Sequence, residues 1–144
     1  MKRFLSVLLA AAFSTGAASA EEITLYDSEG NAAAWIDTSR GNIICLWSGE
    51  PVAYLRKDGN IPDIYGFNGR HLGWFEKGIV RDHEGLMAGF TKGSFNMHTQ
   101  PEPYKPRKCR KPFMAQPEFP PRRPFYHNTF SGTPLAELLM DGRN

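Results

Sequence analysis

The sequence predicts an all-β fold: four repeated β-hairpins in a pseudo-four-fold arrangement, with a Pro-rich extended tail and a short C-terminal helix. Three observations predict it. A short unit recurs four times between Ile23 and Gly93, each copy running from an apolar segment through a glycine turn into four more apolar or small residues. Turn signals then alternate along the whole of this region and leave no room for a helix. Finally, nine of the eleven prolines lie at or after Pro101, so the composition changes where the repeats end.

The repeat is anchored on Gly30, Gly49, Gly69 and Gly85. Three residues after each glycine stands Ala33, Val52, Leu72 or Ala88, and four after stands Ala34, Ala53, Gly73 or Gly89. The next two columns are Trp35, Tyr54, Trp74, Phe90 and Ile36, Leu55, Phe75, Thr91. A unit this short cannot bury its own apolar face, so the copies must pack on one another. First strands are predicted over Ile23–Asp27, Ile43–Trp47, Ile64–Phe67 and Ile79–Asp82. Second strands are predicted over Ala32–Asp37, Pro51–Lys57, His71–Glu76 and Met87–Lys92. Asn68-Gly69 is the strongest two-residue hairpin signal, because both residues tolerate positive φ. Strict alternation puts the aromatic column on one face with Ala33, Val52, Leu72 and Ala88. The small column then shares the other face with Ile36, Leu55, Phe75 and Thr91, nearest the centre of the assembly, where backbones approach closely. The aromatics are expected to fill gaps between units.

Residues 1–20 read as a signal peptide. Lys2 and Arg3 are its charged start, Phe4 to Phe13 its apolar stretch, and Ala18-Ser19-Ala20 its small-residue cleavage site. Export to the periplasm or the extracellular space is therefore expected, with cleavage near Ala20 and no membrane span in the mature chain. The β-domain is assigned to 21–95, the proline-rich basic and aromatic tail to 96–132, and the short amphipathic helix with the C-terminus to 133–144. The formal net charge of +2 disappears with Lys2 and Arg3. What remains is uneven: 7 basic and 11 acidic side chains over 21–95, against 8 and 4 over 96–144. An acidic body and a basic tail are expected to attract each other. A nucleic-acid partner fits an exported chain poorly.

The run from Ile23 to Phe90 contains "LYDSEGNAAAWI", "LWSGEPVAYL", "IYGFNGRHLGWF" and "VRDHEGLMAGF". It resembles the four-fold β-flower family of bacterial proteins, and the ending "FSGTPLAELL" is similar to the family's usual one. The resemblance implies four hairpins set like petals about a pseudo-four-fold axis. It brings no established activity and no catalytic residues, and Cys45 and Cys109 are not part of the family pattern.

Cys45 and Cys109 have two readings. An oxidising compartment favours pairing; alternatively, Cys45 is a buried thiol in the apolar run Ile43–Trp47. The tail also has two readings. Its alternation of proline with basic and aromatic residues suits a disordered linker. It equally suits a strap on the β-domain, anchored by Tyr104, Phe113, Phe119, Phe125, Tyr126 and Phe130. At the end of the chain, Thr133 is the expected N-cap and Pro134 the first residue of a helix presenting Leu135, Leu138 and Leu139.

Candidate chemistry is sparse. Asp82-His83-Glu84 is the one tight titratable cluster and reads first as a solvated polar turn. His71 reads as structural or exposed. No metal spacing appears, and no cofactor is expected. Asp27, Glu29, Asp37 and Glu50 lie near turns, where two carboxylates could serve a hydrolase. Trp35, Trp47, Tyr54 and Trp74 are the candidate ligand-binding residues. Left exposed, they would stack on the sugar rings of a glycan; packed, they would fill the core of a small domain. The first expectation is a non-catalytic exported binding or scaffold module of the cell envelope. Its partner is unidentified, an envelope protein or a glycan. A glycan or peptidoglycan binder and a small carboxylate-dependent hydrolase are the alternatives.

Overall fold

The computed structural model describes residues 21–144; the signal-peptide assignment lies outside the described residues. Eight strands form a closed barrel in sequence order. They are β1 (Glu22–Tyr26), β2 (Ala32–Asp37), β3 (Ile43–Leu46), β4 (Pro51–Arg56), β5 (Asp63–Gly66), β6 (His71–Glu76), β7 (Ile79–Arg81) and β8 (Met87–Phe90). Every neighbouring pair is antiparallel, and the seam between β1 and β8 is a single residue pair, Tyr26 with Phe90. One short α-helix, α1 (Leu135–Met140), follows an extended segment, and, against the expectation of no helix among the repeats, a single 3-10 turn (Thr38–Arg40), capped by Asp37, joins β2 to β3.

The hairpin turns differ from the two-residue reading. Only the glycines adopt positive φ, at 78° (Gly30), 92° (Gly49), 90° (Gly69) and 81° (Gly85); Asn68 does not. In each turn the glycine amide donates to the residue three before it, as Gly69 N does to Gly66 O at 3.0 Å. This is the longer turn that ends on a left-handed residue. In the first and fourth units an aspartate ties it down. Asp27 Oδ1 accepts from the amides of Glu29 and Asn31, and Asp82 Oδ1 from those of Glu84 and Leu86.

Strict alternation fails at one position in every unit. Leu25 pairs with Ala34 while Tyr26 pairs with Ala32, so Ala33 is an extra residue opposite no partner. Val52, Leu72 and Ala88 are skipped in the same way. A β-bulge of this kind puts two residues against one and re-aims the side chain. The column three after the glycine therefore does not share a face with the aromatics. Val52, Leu72 and Ala88 join Ala34, Ala53, Ile36 and Leu55 in the core cluster that also holds Leu135 and Leu139. An eight-stranded barrel is just wide enough to be filled by such side chains.

Helix α1 plugs the hairpin-turn end of this interior. Its cap differs from expectation: Pro134 occupies the N-cap position with no side-chain capping bond, and Leu135 is the first helical residue. Leu135 and Leu139 are fully buried. The chain beyond the helix is held by Asn68, whose amide and side-chain Nδ2 donate to Gly142 O (3.1 Å) and Asp141 O (2.6 Å).

Candidate functional site

Residues 96–132 form no strand or helix, yet they follow the barrel closely. A Cβ on Gly30 would fall 2.3 Å from His98 O, on Gly49 2.7 Å from Arg107 Cβ, on Gly69 2.4 Å from Gln116 O, and on Gly85 2.0 Å from Phe125 O. The segment thus visits the four turns in order and advances nine residues per petal, a reach of up to about 30 Å when extended. Each turn glycine is needed twice: for its positive φ, and to let the strap's backbone touch its own.

Two residues further along each step stand Gln100, Cys109, Glu118 and His127. The amides of Gln100, Glu118 and His127 donate to Gly30 O (2.9 Å), Gly69 O (2.9 Å) and Gly85 O (3.0 Å). At the second petal the link is covalent: Cys45 and Cys109 form a disulfide with Cα atoms 6.1 Å apart. Cys45 belongs to a buried column, four before the glycine, with Tyr26, Tyr65 and Arg81. Tyr65 Oη donates to Glu118 O at 2.8 Å, and Arg81 Nη1 to His127 O at 2.6 Å. Burial, with Asp63 nearby, raises the Tyr65 pKa and keeps that phenol a donor.

The aromatic assignments reverse between barrel and tail. Trp35, Tyr54 and Trp74 are only 2 %, 6 % and 1 % exposed. They lie on the outer barrel face, partly under the strap, and each packs on a ring of the next unit: Trp35 on Trp47, Tyr54 on Tyr65 and Trp74 on His83. Trp35 and Trp47 meet edge to face at 84°, and Lys105 Nζ sits 4.7 Å and 4.8 Å from their two ring centroids. They offer no coplanar platform to a sugar. Conversely, Tyr104, Phe113, Phe119 and Phe125 are 91 %, 80 %, 95 % and 90 % exposed, so they are not the anchors of the strap. Backbone hydrogen bonds, the disulfide, Met114 and Phe130 hold it instead. Ion pairing contributes little: Lys105 reaches Glu22, and Arg143 stands 3.8 Å from Glu50.

A polar cluster lies where β5, β6 and the fourth turn converge. His71 Nε2 is 2.9 Å from Asp63 Oδ1, and its Nδ1 is 2.9 Å from His83 Nε2. The two rings stack at 15°, and the His71 amide donates to Glu118 Oε1. The carboxylate fixes the tautomer: Nε2–H donates to Asp63, and Nδ1 accepts from His83 Nε2–H. The titratable triplet 82–84 is thereby divided, with Asp82 holding its turn and His83 paired across to the third unit. The other carboxylates also have structural partners. Asp37 accepts from Ser39 and faces Arg40 at 3.6 Å, and Glu29 holds Asn31. Among the described residues no group of three His, Cys, Asp or Glu is arranged to hold a metal ion.

Burial lowers the His71 pKa below its ordinary 6.5, and the Asp63 hydrogen bond opposes this only in part. A folded pKa below the unfolded one means that the unfolded chain takes up the proton first. Stability from His71 is therefore complete above about pH 6.5 and is lost as pH falls through the folded value. The melting temperature is expected to fall between pH 8 and pH 5.5, and to fall less in His71→Gln. Equal slopes for the two proteins would remove His71 from this role.

Four hairpins closed into one barrel, with a strap visiting each turn, define a four-petalled β-protein. The chain belongs to the 4-fold beta flower family, whose profile matches residues 23–139. No curated protein and no solved structure matches the chain.

Proposed function

We propose that this is a non-catalytic binding or scaffold module, exported to the periplasm or cell surface, that engages an anionic envelope component through the outer face of its strap. The observation that carries this reading is the pairing of the four exposed strap aromatics with exposed cations. Arg107, Lys108, Arg110, Lys111, Arg122 and Arg123 stand between them, all exposed. Large aromatic side chains left in water are unusual in a small domain that needs them for its core. Because the strap's backbone is already fixed to the barrel, binding would not have to order it, and only side-chain freedom would be lost. Aromatic and arginine residues are also the types that carry most interface energy.

The test is retention of the exported protein on isolated envelope material. The wild type should be retained, and less so as salt rises. A variant carrying Tyr104→Ser, Phe113→Ser, Phe119→Ser and Phe125→Ser should keep its melting temperature, since these rings bury nothing, and lose retention by tenfold or more, at about 1.4 kcal/mol per tenfold. Undiminished retention of the fourfold variant would refute the strap as the contact face.

A further inference from the structure

The barrel has two ends, and they are finished differently. Helix α1 fills the hairpin-turn end with Leu135 and Leu139. The opposite end is bounded by the loops that join the units, and a cavity of about 320 Å³ opens there. Its floor is Ile23, Ile36, Leu55 and Phe75. Ile36, Leu55 and Phe75 are equivalent positions of three units, so the floor lies around the pseudo-symmetry axis, where the interior of the barrel reaches the surface. Ile23 and Phe75 are only partly buried. The charged residues that line this mouth are Lys57 and Lys77, and both are exposed. Among the described residues neither is ion-paired. The carboxylate next to Lys57, Asp58, is taken by Arg56 at 2.6 Å.

An apolar floor beneath two cations without counter-charge defines the chemistry of its complement. We infer that this mouth is a binding site for an anionic amphiphile, a medium-chain fatty carboxylate. Its chain would enter among Ile23, Leu55 and Phe75, and its head would lie between Lys57 and Lys77. The volume falls at the small end of the range for ligand sites, which suits one unbranched chain and no bulky headgroup. Rim asparagines Asn42 and Asn60 add hydrogen-bond donors at the level of the head. The position of Lys77 is set by its turn, whose Gly78 O accepts from Thr91 N beyond β8 at 2.8 Å. No strap residue lines the site, so it stands or falls apart from the strap's outer face.

The probe is decanoate, titrated below its micelle concentration into the exported protein and followed by calorimetry and by amide chemical shifts. Saturable binding is expected, with shifts confined to the mouth and its floor, residues 23, 36–42, 55–62 and 75–78. Decyltrimethylammonium, with the same chain and the opposite charge, should not bind there. Lys57→Glu with Lys77→Glu should weaken decanoate roughly tenfold without moving the melting temperature, because both side chains are exposed. Phe75→Ser, a floor substitution, should weaken both chain entry and the shifts. Three outcomes would each overturn the assignment: no saturable shift at the mouth, equal binding of the two amphiphiles, or decanoate affinity unchanged in the double lysine variant. Binding of decyl phosphate where decanoate fails would overturn the carboxylate as the ligand head.

Discussion

A chain ended after Lys92 is expected to lose the barrel's cooperative melting transition. Truncation removes three supports together. The plug goes with Leu135 and Leu139, each worth roughly 1.5–3 kcal/mol when fully buried. The disulfide goes with Cys109, and closing a loop of 64 residues is worth about 4 kcal/mol in the chain-entropy model. The strap's hydrogen bonds to Gly30, Gly69 and Gly85 go as well, and the outer aromatics Trp35, Tyr54 and Tyr65 meet water. The sum is comparable to the roughly 5–15 kcal/mol by which whole domains are stable. Calorimetry of the truncated and full chains, both beginning at Glu21, decides the matter. If the truncated chain melts where the full one does, the strap and plug are ornaments on a self-sufficient barrel.

Gly73→Val is expected to destabilise by about 3 kcal/mol or more, beyond ordinary overpacking. A Cβ on Gly73 would sit 2.0 Å from Arg81 O, a backbone atom of the neighbouring strand that cannot turn aside as a side chain can. The pairing of β6 with β7 must open, and Arg81 then loses its hold on His127 O. Ala53→Gly is the control: it occupies the same column, removes one methyl, and should cost only a fraction as much. Denaturant midpoints within error of each other for wild type and Gly73→Val would show that the strands shift apart freely.

The hairpins were legible because their signal is local. A glycine forced to positive φ cannot be replaced cheaply, so it recurs, and the columns after it recur with it. The predicted strand ends therefore fall within a residue or two of those observed. The bulge at Ala33, Val52, Leu72 and Ala88 was not legible, because those residues suit either face and only the pairing partner shows which is skipped. The strap's nine-residue step left one faint mark, Pro103, Pro112 and Pro121, while the docking positions His98, Arg107, Gln116 and Phe125 have no chemistry in common. They are fixed through backbone atoms, which every residue supplies. The burial of Trp35, Tyr54 and Trp74, three of the four candidate ligand-binding residues, was not legible for a related reason. Composition counts aromatics without saying what lies over them, and what lies over several of these is the tail itself. The His71–His83 pair joins two units through a strand and a turn that are neighbours only once the barrel is closed.

The strap begins and ends at the same place. It leaves β8 through Phe95, passes the four turns, and returns with Phe130, whose ring lies 5.6 Å from that of Phe95 and 6.3 Å from that of Phe90. The overlap falls beside the single-pair contact between β1 and β8, otherwise the natural place for the cylinder to split. The segment is thus a hoop whose lapped ends cover the weakest stave joint. Neighbouring copies that exchange hairpins must first part this lap, so the arrangement guards against domain swapping while using only irregular chain.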